Sequence, residues 1–196
     1  YYPGLKLYHF GDFARKRSDL YPIAQTVVTD LAEQTGLEVD FTIEENGRIV
    51  SLYDQWRSAD IPSYLVDYRI FHVHCNASGK AILAEYPEPR VREILDRWGM
   101  EQVTEETITD VEAFLTELER VRQRGYAINM NESMAGMWAI SKVVTRSDGG
   151  VAGSLNVAGP AYVHSEQRER AVADELADQV QEFERQLVEE GTIAEE

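Results

Sequence analysis

The stretch His74-Cys-Asn-Ala-Ser-Gly-Lys-Ala-Ile-Leu-Ala84 carries more information about the fold than any other part of this chain. It follows a strand-like run at 68–73 and opens a helix-like run at 77–86, with small residues at 77–79 where the two meet. A helix start leaves its first N–H groups without partners and carries the positive end of the helix dipole, so it attracts anions. Small side chains let a ligand approach this backbone. We therefore predict that a carboxylate or a phosphate binds at this junction.

Length and composition predict one folded domain. The 196 residues suffice for a full hydrophobic core, and an apolar content of 43% with 10% aromatic residues argues against disorder. No apolar run approaches the ~20 residues that span a bilayer. The single Cys75 rules out an internal disulfide and fits a reducing compartment. Because the chain has neither an initiator Met nor a signal-peptide pattern, we expect it to be part of a longer cytoplasmic protein.

The charge balance is strongly acidic. The chain has 19 basic and 35 acidic residues, a formal net charge of −16. Nucleic acid is bound mainly through neutralised phosphates, so this segment is not expected to bind DNA by itself. Only four of the basic residues are Lys. An acidic, Lys-poor surface leads to the hypothesis that the source organism is a halophile.

Apolar spacing and turn residues predict helices and antiparallel strands in mixed order. Helices are expected at 4–18, from Ile23 to a left-handed cap at Gly36, at 77–86, at 91–98, from a capping box at 109–112 to Gly125, and after the capping residue Ser165. Strands are expected as a hairpin at 39–44 and 48–53, at 61–64 and 68–73, and as a hairpin at 137–146 and 151–157. This order indicates an α+β fold rather than a doubly wound parallel sheet.

The pair Gly79-Lys80 resembles the end of a phosphate-binding P-loop, but the match is incomplete. A P-loop requires Gly where His74 stands and Ser or Thr where Ala81 stands, the latter to hold Mg²⁺. Nucleotide hydrolysis is therefore disfavoured. Lys80 is expected to be solvated or to cap backbone carbonyls early in its helix.

His72, His74 and Cys75 leave two other chemistries open. Two His at positions i and i+2 of a strand point to one side and could belong to a metal or redox sensor, but a structural zinc site needs four ligands. Cys75 beside a helix start could act as a nucleophile with either His, which would make the chain an enzyme. Simple packing of these side chains is favoured in both cases. We therefore predict no metal, no cofactor and no catalysis.

Polar residues near two further strands could contact a ligand. Asn129, Asn131 and Glu132 follow a predicted helix and either face a ligand or only form a turn. Trp138 either lines a pocket or fills the core. Asn156 lies inside an apolar strand, where a polar side chain needs a hydrogen-bond partner.

Together these segments resemble the C-terminal domain of the isocitrate lyase regulator (IclR) family of transcription regulators. The matching pieces occur in family order and cover about residues 19–190: they are 74–84, 107–110, 118–126, Asn131-Glu132 with Gly136, and 154–160. This ordered set is far more specific than any one motif.

The resemblance implies a GAF-like fold, in which helices flank a curved antiparallel sheet that holds a small-molecule pocket. It implies that 1–18 are the end of a truncated winged helix-turn-helix and a linker helix, that 19–190 form the effector-binding and oligomerisation domain, and that 191–196 are a tail. Such a chain would bind a small-molecule effector, reach DNA through the missing N-terminal domain, and form a homodimer or homotetramer. It would not be an enzyme. A pure oligomerisation module with a filled pocket is the remaining alternative.

Carried over by position, the implied pocket consists of Ala77, Ser78, Asn129, Met137, Trp138, Ala139, Asn156 and Ala158. The family's acid-binding members place an acidic residue at 129, Cys at 139, and Ser at 156 and 158, so this chain departs at four positions. We therefore expect a larger aromatic or sugar-derived acid rather than glyoxylate or pyruvate. Its carboxylate would meet free N–H groups near Ala77 and Ser78, while Asn129 and Asn156 recognise its polar groups.

Overall fold

Six helices and five strands make up the part of the chain that the computed structural model describes, namely Gly4, residues 6–55 and residues 72–193, with side chains as far as 189. In chain order these elements are α1 (Lys6–Lys16), α2 (Leu20–Thr35), β1 (Glu38–Glu45), β2 (Arg48–Gln55), α3 (Ala77–Ala84), α4 (Glu88–Trp98), α5 (Val111–Arg124), β3 (Ala127–Met130), β4 (Met137–Thr145), β5 (Val151–Pro160) and α6 (Glu166–Ile193). A short 3₁₀ turn, Ala161–Val163, leads from β5 to α6.

The five strands form one antiparallel sheet in the order β2-β1-β5-β4-β3. Helices flank this sheet, so the predicted α+β fold is confirmed. Both predicted hairpins are present, although β5 continues to Pro160 instead of stopping at Val157. The strand predicted at 61–64 lies outside the described residues, as does 68–71 of the next one. Its last residue, Val73, lies in a turn.

One face of the sheet packs against α2 and α6 and forms the main hydrophobic core. Phe41 of β1 stacks on Phe183 of α6 with ring centroids 4.6 Å apart. Trp138 and Ile140 of β4 point to the same side and are fully buried. Alternate residues of each strand supply this core, as the period of two in a β-strand requires.

The opposite face of the sheet is covered by α3, which packs across β3, β4 and β5. The far side of α3 packs in turn against α4 and α5, where Ile82 and Leu83 share a cluster with Leu95 and Phe114. All eight residues of α3 are buried as a result. Polar side chains of the strands that face α3 are therefore enclosed rather than solvated.

Capping and turn residues mark where several helices and strands begin or end. Gly36 ends α2 with φ at 65°, and Asn46 and Gly47 form the β1–β2 turn with φ at 55° and 82°. Such positive values suit Gly and Asn in a two-residue hairpin loop. The predicted capping box at 109–112 is wrong, because Asp110 rather than Thr109 caps the helix: it accepts from the Ala113 N–H at 2.8 Å, and Ala113 has no side-chain acceptor to complete a box.

The two terminal helices differ in how they pack. α1 exposes Leu7, Phe10 and Phe13, whereas α6 lies on the main core and runs to Ile193, so the predicted tail at 191–196 begins inside this helix. Among the helices described, none is both long and apolar enough to cross a membrane.

Candidate functional site

Asn76 caps the start of α3, the junction at which an anion was expected. Its side-chain Oδ1 accepts a hydrogen bond from the Ser78 N–H at 2.8 Å. One of the backbone donors assigned to an effector carboxylate therefore already has a partner. Helix geometry leaves the N–H groups of Ala77 and Gly79 as the remaining donors of this first turn.

Packing explains the small residues at this junction. A Cβ atom on Gly79 would lie 2.2 Å from the carbonyl oxygen of Val73, so only glycine lets the preceding segment pass this close. Ala77 and Ser78 are also buried. Close packing of α3, rather than access of a ligand to the backbone, thus accounts for the smallness of position 79.

Three predicted site residues form one row across the sheet face that α3 covers. Ala139 of β4 pairs with Asn129 of β3 on one side and with Ala158 of β5 on the other. Met137 lies two residues before Ala139 and therefore on the same face. Side chains paired in this way have Cβ atoms about 4.5–5.5 Å apart. The two alanines make a floor of small side chains, and Ala158 retains partial solvent exposure.

The next row connects this floor to α3. Asn156 lies two residues before Ala158 and pairs with Ser141 of β4. The Ser141 hydroxyl lies 3.4 Å from that of Ser78, directly after Ala77 at the start of α3. The structure thus brings seven of the eight predicted residues to the face of the sheet that α3 covers, where Met137 and Ala158 remain partly exposed.

Trp138 is the exception, and its assignment to the pocket is wrong. Because it lies between Met137 and Ala139 on β4, its side chain points to the other face of the sheet. It is fully buried in the main core, with its ring centroid 5.3 Å from that of His164. The strand alternation that predicts β4 also predicts this separation.

Asn129 is at the site but its hydrogen bonds are used by the protein. Its Nδ2 donates to the Cys75 carbonyl at 2.9 Å and to the Ser133 hydroxyl at 2.7 Å. Its Oδ1 accepts from the Glu132 N–H at 3.0 Å. An amide can donate two such bonds, and both are made. Asn129 therefore positions the segment before α3 and the loop after β3, and in this arrangement both of its amide N–H groups are used by the protein.

Lys80 is neither solvated nor a carbonyl cap, contrary to the prediction. It is only 1% exposed, and its Nζ lies 2.6 Å from Oε1 of Glu132. Burial raises the pKa of Glu132, while the Lys80 ammonium acts in the opposite direction. This buried ion pair connects α3 to the loop between β3 and β4.

Two acidic residues on β1, which sequence analysis did not single out, also face this site. Glu38 pairs with Ala158, and Asp40 pairs with Asn156. Burial, reinforced by the neighbouring Asp40, raises the pKa of Glu38 to about 7. Burial is also the main cause that raises the pKa of Asp40 to about 7, with Asp54 adding to it.

Asn156 has the partner that its position in an apolar strand demanded. Its Nδ2 donates to Oδ2 of Asp40 at 2.8 Å, and this bond lowers the pKa of Asp40 against the effect of burial. The alternation of Glu38, Asp40 and Thr42 along β1 was a usable signal, but a polar face of a strand ordinarily indicates solvent. Only the assembled fold shows that Glu38 and Thr42 are buried on this face.

The arrangement of Cys75 and the histidines does not resemble a catalytic or metal centre. Cys75 is buried, and burial raises the pKa of its thiol to about 11, which disfavours the thiolate that a nucleophile needs. His74 Nε2 lies 3.0 Å from the Glu101 carbonyl oxygen, and burial lowers the pKa of this histidine. Within 6–55 and 72–193, no group of three or more His, Cys, Asp or Glu side chains could hold a metal ion.

Comparison with known proteins gives consistent matches. A sequence profile described as "Bacterial transcriptional regulator IclR C-terminal" matches residues 13–185. The chain is 31% identical over 157 residues to the probable HTH-type transcriptional regulator ArcR of Halobacterium salinarum, which is 76% of this chain and 58% of that protein. It spans less than two thirds of the length of this relative and of a second curated relative.

Solved structures share the fold. The IclR protein of Thermotoga maritima superposes with a TM-score of 0.85 at 27% identity, over 94% of this chain and 75% of that one. The inducer-binding domain of an Acinetobacter PobR double mutant, solved with 3-hydroxybenzoic acid, has a TM-score of 0.78 at 23% identity, over 85% of this chain and 98% of that one.

Proposed function

This chain belongs to the IclR family of bacterial transcriptional regulators, and we propose that it binds a small organic acid or related metabolite on the face of the sheet that α3 covers. The ligand would lie against Ala139, Ala158 and Met137, beside Asn156 and the start of α3 at Ala77 and Ser78. Asn129 would hold the surrounding segments in place.

One observation carries this proposal. Seven residues that are scattered from 77 to 158 in the sequence converge on one face, and their centre is a floor of two alanines flanked by buried polar groups. Small apolar side chains with a few convergent polar groups are typical of a small-molecule site. The PobR inducer-binding domain, which shares this fold, was solved in complex with a small organic acid, 3-hydroxybenzoic acid.

Control of DNA binding is the regulatory part of the proposal. The net charge of −16 disfavours direct contact with phosphates, and the curated relatives are longer than this chain. We place operator binding in an N-terminal domain that precedes this segment in the complete protein. An effector changes regulation only if it binds one arrangement of the domains more tightly than another.

Self-association as a homodimer or homotetramer is part of the same proposal. α1 exposes Leu7, Phe10 and Phe13, each more than half accessible, which is unusual for large apolar side chains on one short helix. Burial of this face against a second copy would remove it from water. Light scattering of the parent and of a Phe10→Glu variant tests this, and an unchanged mass in the variant would contradict it.

The central experiment uses the complete regulator and the promoter region next to its gene. Organic acids and sugar acids are first screened for thermal stabilisation, since a ligand at ~100 times its Kd adds about 2.7 kcal/mol of stability. Stabilising compounds are then added to an operator-binding assay. An Ala139→Leu variant should lose both responses, because the larger side chain fills the floor. If no compound alters operator binding, the proposed function is wrong.

A further inference from the structure

Two of the four carboxyl groups of β1, those of Glu38 and Asp40, lie next to the alanine floor, and neither has an ion-pair partner among the residues that the structure describes. Glu38 and Asp40 are two residues apart and therefore share a face, opposite Ala158 and Asn156 respectively. Glu38 is only 3% exposed. Neither of its carboxylate oxygens has a hydrogen-bond partner among the residues that the structure describes.

Asn156 lies beside Glu38 and Asp40, and we call these three residues the polar corner. Like the two carboxyl groups, Asn156 presents a hydrogen-bond acceptor here. Asn156 is 7% exposed and donates one amide N–H to Asp40. Its own carbonyl oxygen, Oδ1, is buried without a partner in the described part of the chain. Three acceptor atoms, two from Glu38 and one from Asn156, are thus buried without a hydrogen-bond donor from any described residue. Buried polar groups in native proteins are nearly always hydrogen-bonded, so such a cluster is an exception that requires a cause.

Enclosing these acceptors costs free energy in the unliganded protein. An unpartnered buried polar group loses its water without compensation, and a buried charge loses more. The raised pKa values of both carboxyl groups are the expression of this cost. A ligand that supplies hydrogen-bond donors would recover it, whereas a ligand that brings a second anion to this corner would increase it.

Taking the proposed function as given, we infer that the effector presents at least two O–H or N–H donors, from hydroxyl or ammonium groups, to Glu38, Asp40 and Asn156. Any acid group of the effector lies at the other end, beside the helix start at Ala77. The effector is thus a polyhydroxy or amino compound, and a short acid without donors is rejected by this corner.

Matched probes of equal chain length test this inference. Hexanoate has six carbons and no donor, D-gluconate is a six-carbon acid with hydroxyl groups, and 6-aminohexanoate adds an ammonium group to hexanoate. Calorimetric titration of the 196-residue chain is expected to give at least one donor-bearing probe that binds about tenfold or more tighter than hexanoate.

Acid-to-amide variants test whether Glu38 and Asp40 cause the difference in affinity between the donor-bearing probes and hexanoate. In Glu38→Gln and Asp40→Asn, the advantage of the donor-bearing probe over hexanoate should fall by about fivefold or more. Glu45→Gln, at the exposed end of the same strand, and Asp30→Asn, on the exposed side of α2, are matched controls that should keep the advantage. Urea unfolding of each variant verifies that it is folded.

Several results would overturn the inference. The inference is overturned if hexanoate binds as tightly as both donor-bearing probes, if no probe binds up to about 20 mM, or if the advantage survives both substitutions. Stabilisation by Mg²⁺ or Ca²⁺ alone that Asp40→Asn removes would also overturn it, in favour of a cation site. A donor-free acid that still alters operator binding would reject this inference while preserving the proposed function.

Discussion

The ammonium nitrogen of Lys80 lies 2.6 Å from a carboxylate oxygen of Glu132, and both side chains are buried. Lys80 belongs to α3, which covers the site, and Glu132 to the loop that joins β3 to β4. The same loop is held by Thr104 and Thr107, whose hydroxyls donate to the Asn131 and Glu132 carbonyls at 2.7 Å each. The ion pair therefore fixes the cover of the site to one edge of its floor.

Removal of one partner of this pair should be strongly destabilising. Lys80→Met leaves the Glu132 carboxylate buried without a counter-charge, and the free energy of unfolding should fall by about 3–5 kcal/mol in urea. The double variant Lys80→Met with Glu132→Gln should recover part of the loss. Arg185→Met, which breaks two exposed ion pairs on α6, with Glu182 and Glu189, is the control and should change stability by less than about 1 kcal/mol. If Lys80→Met and Arg185→Met lowered the free energy of unfolding by equal amounts, this account would be contradicted.

A single methyl group at position 79 should disturb the fold. In Gly79→Ala the new Cβ meets the Val73 carbonyl oxygen at 2.2 Å, and either this segment or α3 must shift. We expect a loss of at least about 2 kcal/mol in urea unfolding. Gly11→Ala is the matched control: it lies in α1, has open space around it, and should gain about 0.5–1 kcal/mol from helix propensity. A neutral Gly79→Ala would show that the contact is easily relieved.

Adjacent residues of β4 should have opposite effects on binding and stability. Trp138→Phe removes part of the main core and should cost about 1–3 kcal/mol, while the affinity for an effector stays within about twofold. Ala139→Leu should abolish binding, because it fills the floor on the other face. Calorimetric titration with a stabilising compound from the screen measures both. A large loss of affinity in Trp138→Phe would return the tryptophan to the site.

The two raised carboxyl pKa values predict a pH dependence with a definite sign. Glu38 and Asp40 move from ordinary values of 4.5 and 3.8 to about 7, so the folded state holds their protons more tightly than the unfolded state. Their contribution to stability is present at low pH and is lost as the pH rises toward 7.

The variant Glu38→Gln isolates this contribution because it cannot titrate. Relative to the parent, its free energy of unfolding should increase by on the order of 1 kcal/mol between about pH 5 and about pH 8. Glu45→Gln, which changes an exposed residue of the same strand, is the control. Its free energy of unfolding should differ from that of the parent by the same amount at both pH values. Parallel curves for all three proteins would contradict the burial of an unpaired Glu38.

Salt should stabilise this domain. A net charge of −16 creates self-repulsion, and the screening length shortens from about 10 Å at 0.1 M salt to about 3 Å at 1 M. We expect the Tm to rise by several degrees between these concentrations of KCl, with sucrose at matched osmolality as a control for excluded-solute effects. Full stability in dilute buffer would count against the halophile hypothesis.

Local chemistry made most of the fold predictable. The left-handed turn positions at Gly36 and Gly47, the cap at Ser165 and the period of apolar residues are properties of short segments, and each of these elements is found where it was expected. The family resemblance likewise rests on motifs in sequence order, and it is confirmed by the match over 13–185. These features depend on residues close to one another along the chain.

The environment of individual side chains was decided only by tertiary structure. Glu38 and Asp40 look like the solvated side of a strand, and Lys80 looks like a surface residue of a helix. In the fold Glu38 is buried, and Lys80 is buried because α3 lies between the sheet and the cluster that α4 and α5 contribute. The same packing puts Trp138 on the opposite face from Ala139. Sequence alone determined which elements form, because hydrogen bonding and periodicity act locally. Which faces are enclosed, and with which partners, depends on contacts between segments dozens of residues apart, and those exist only in the assembled fold.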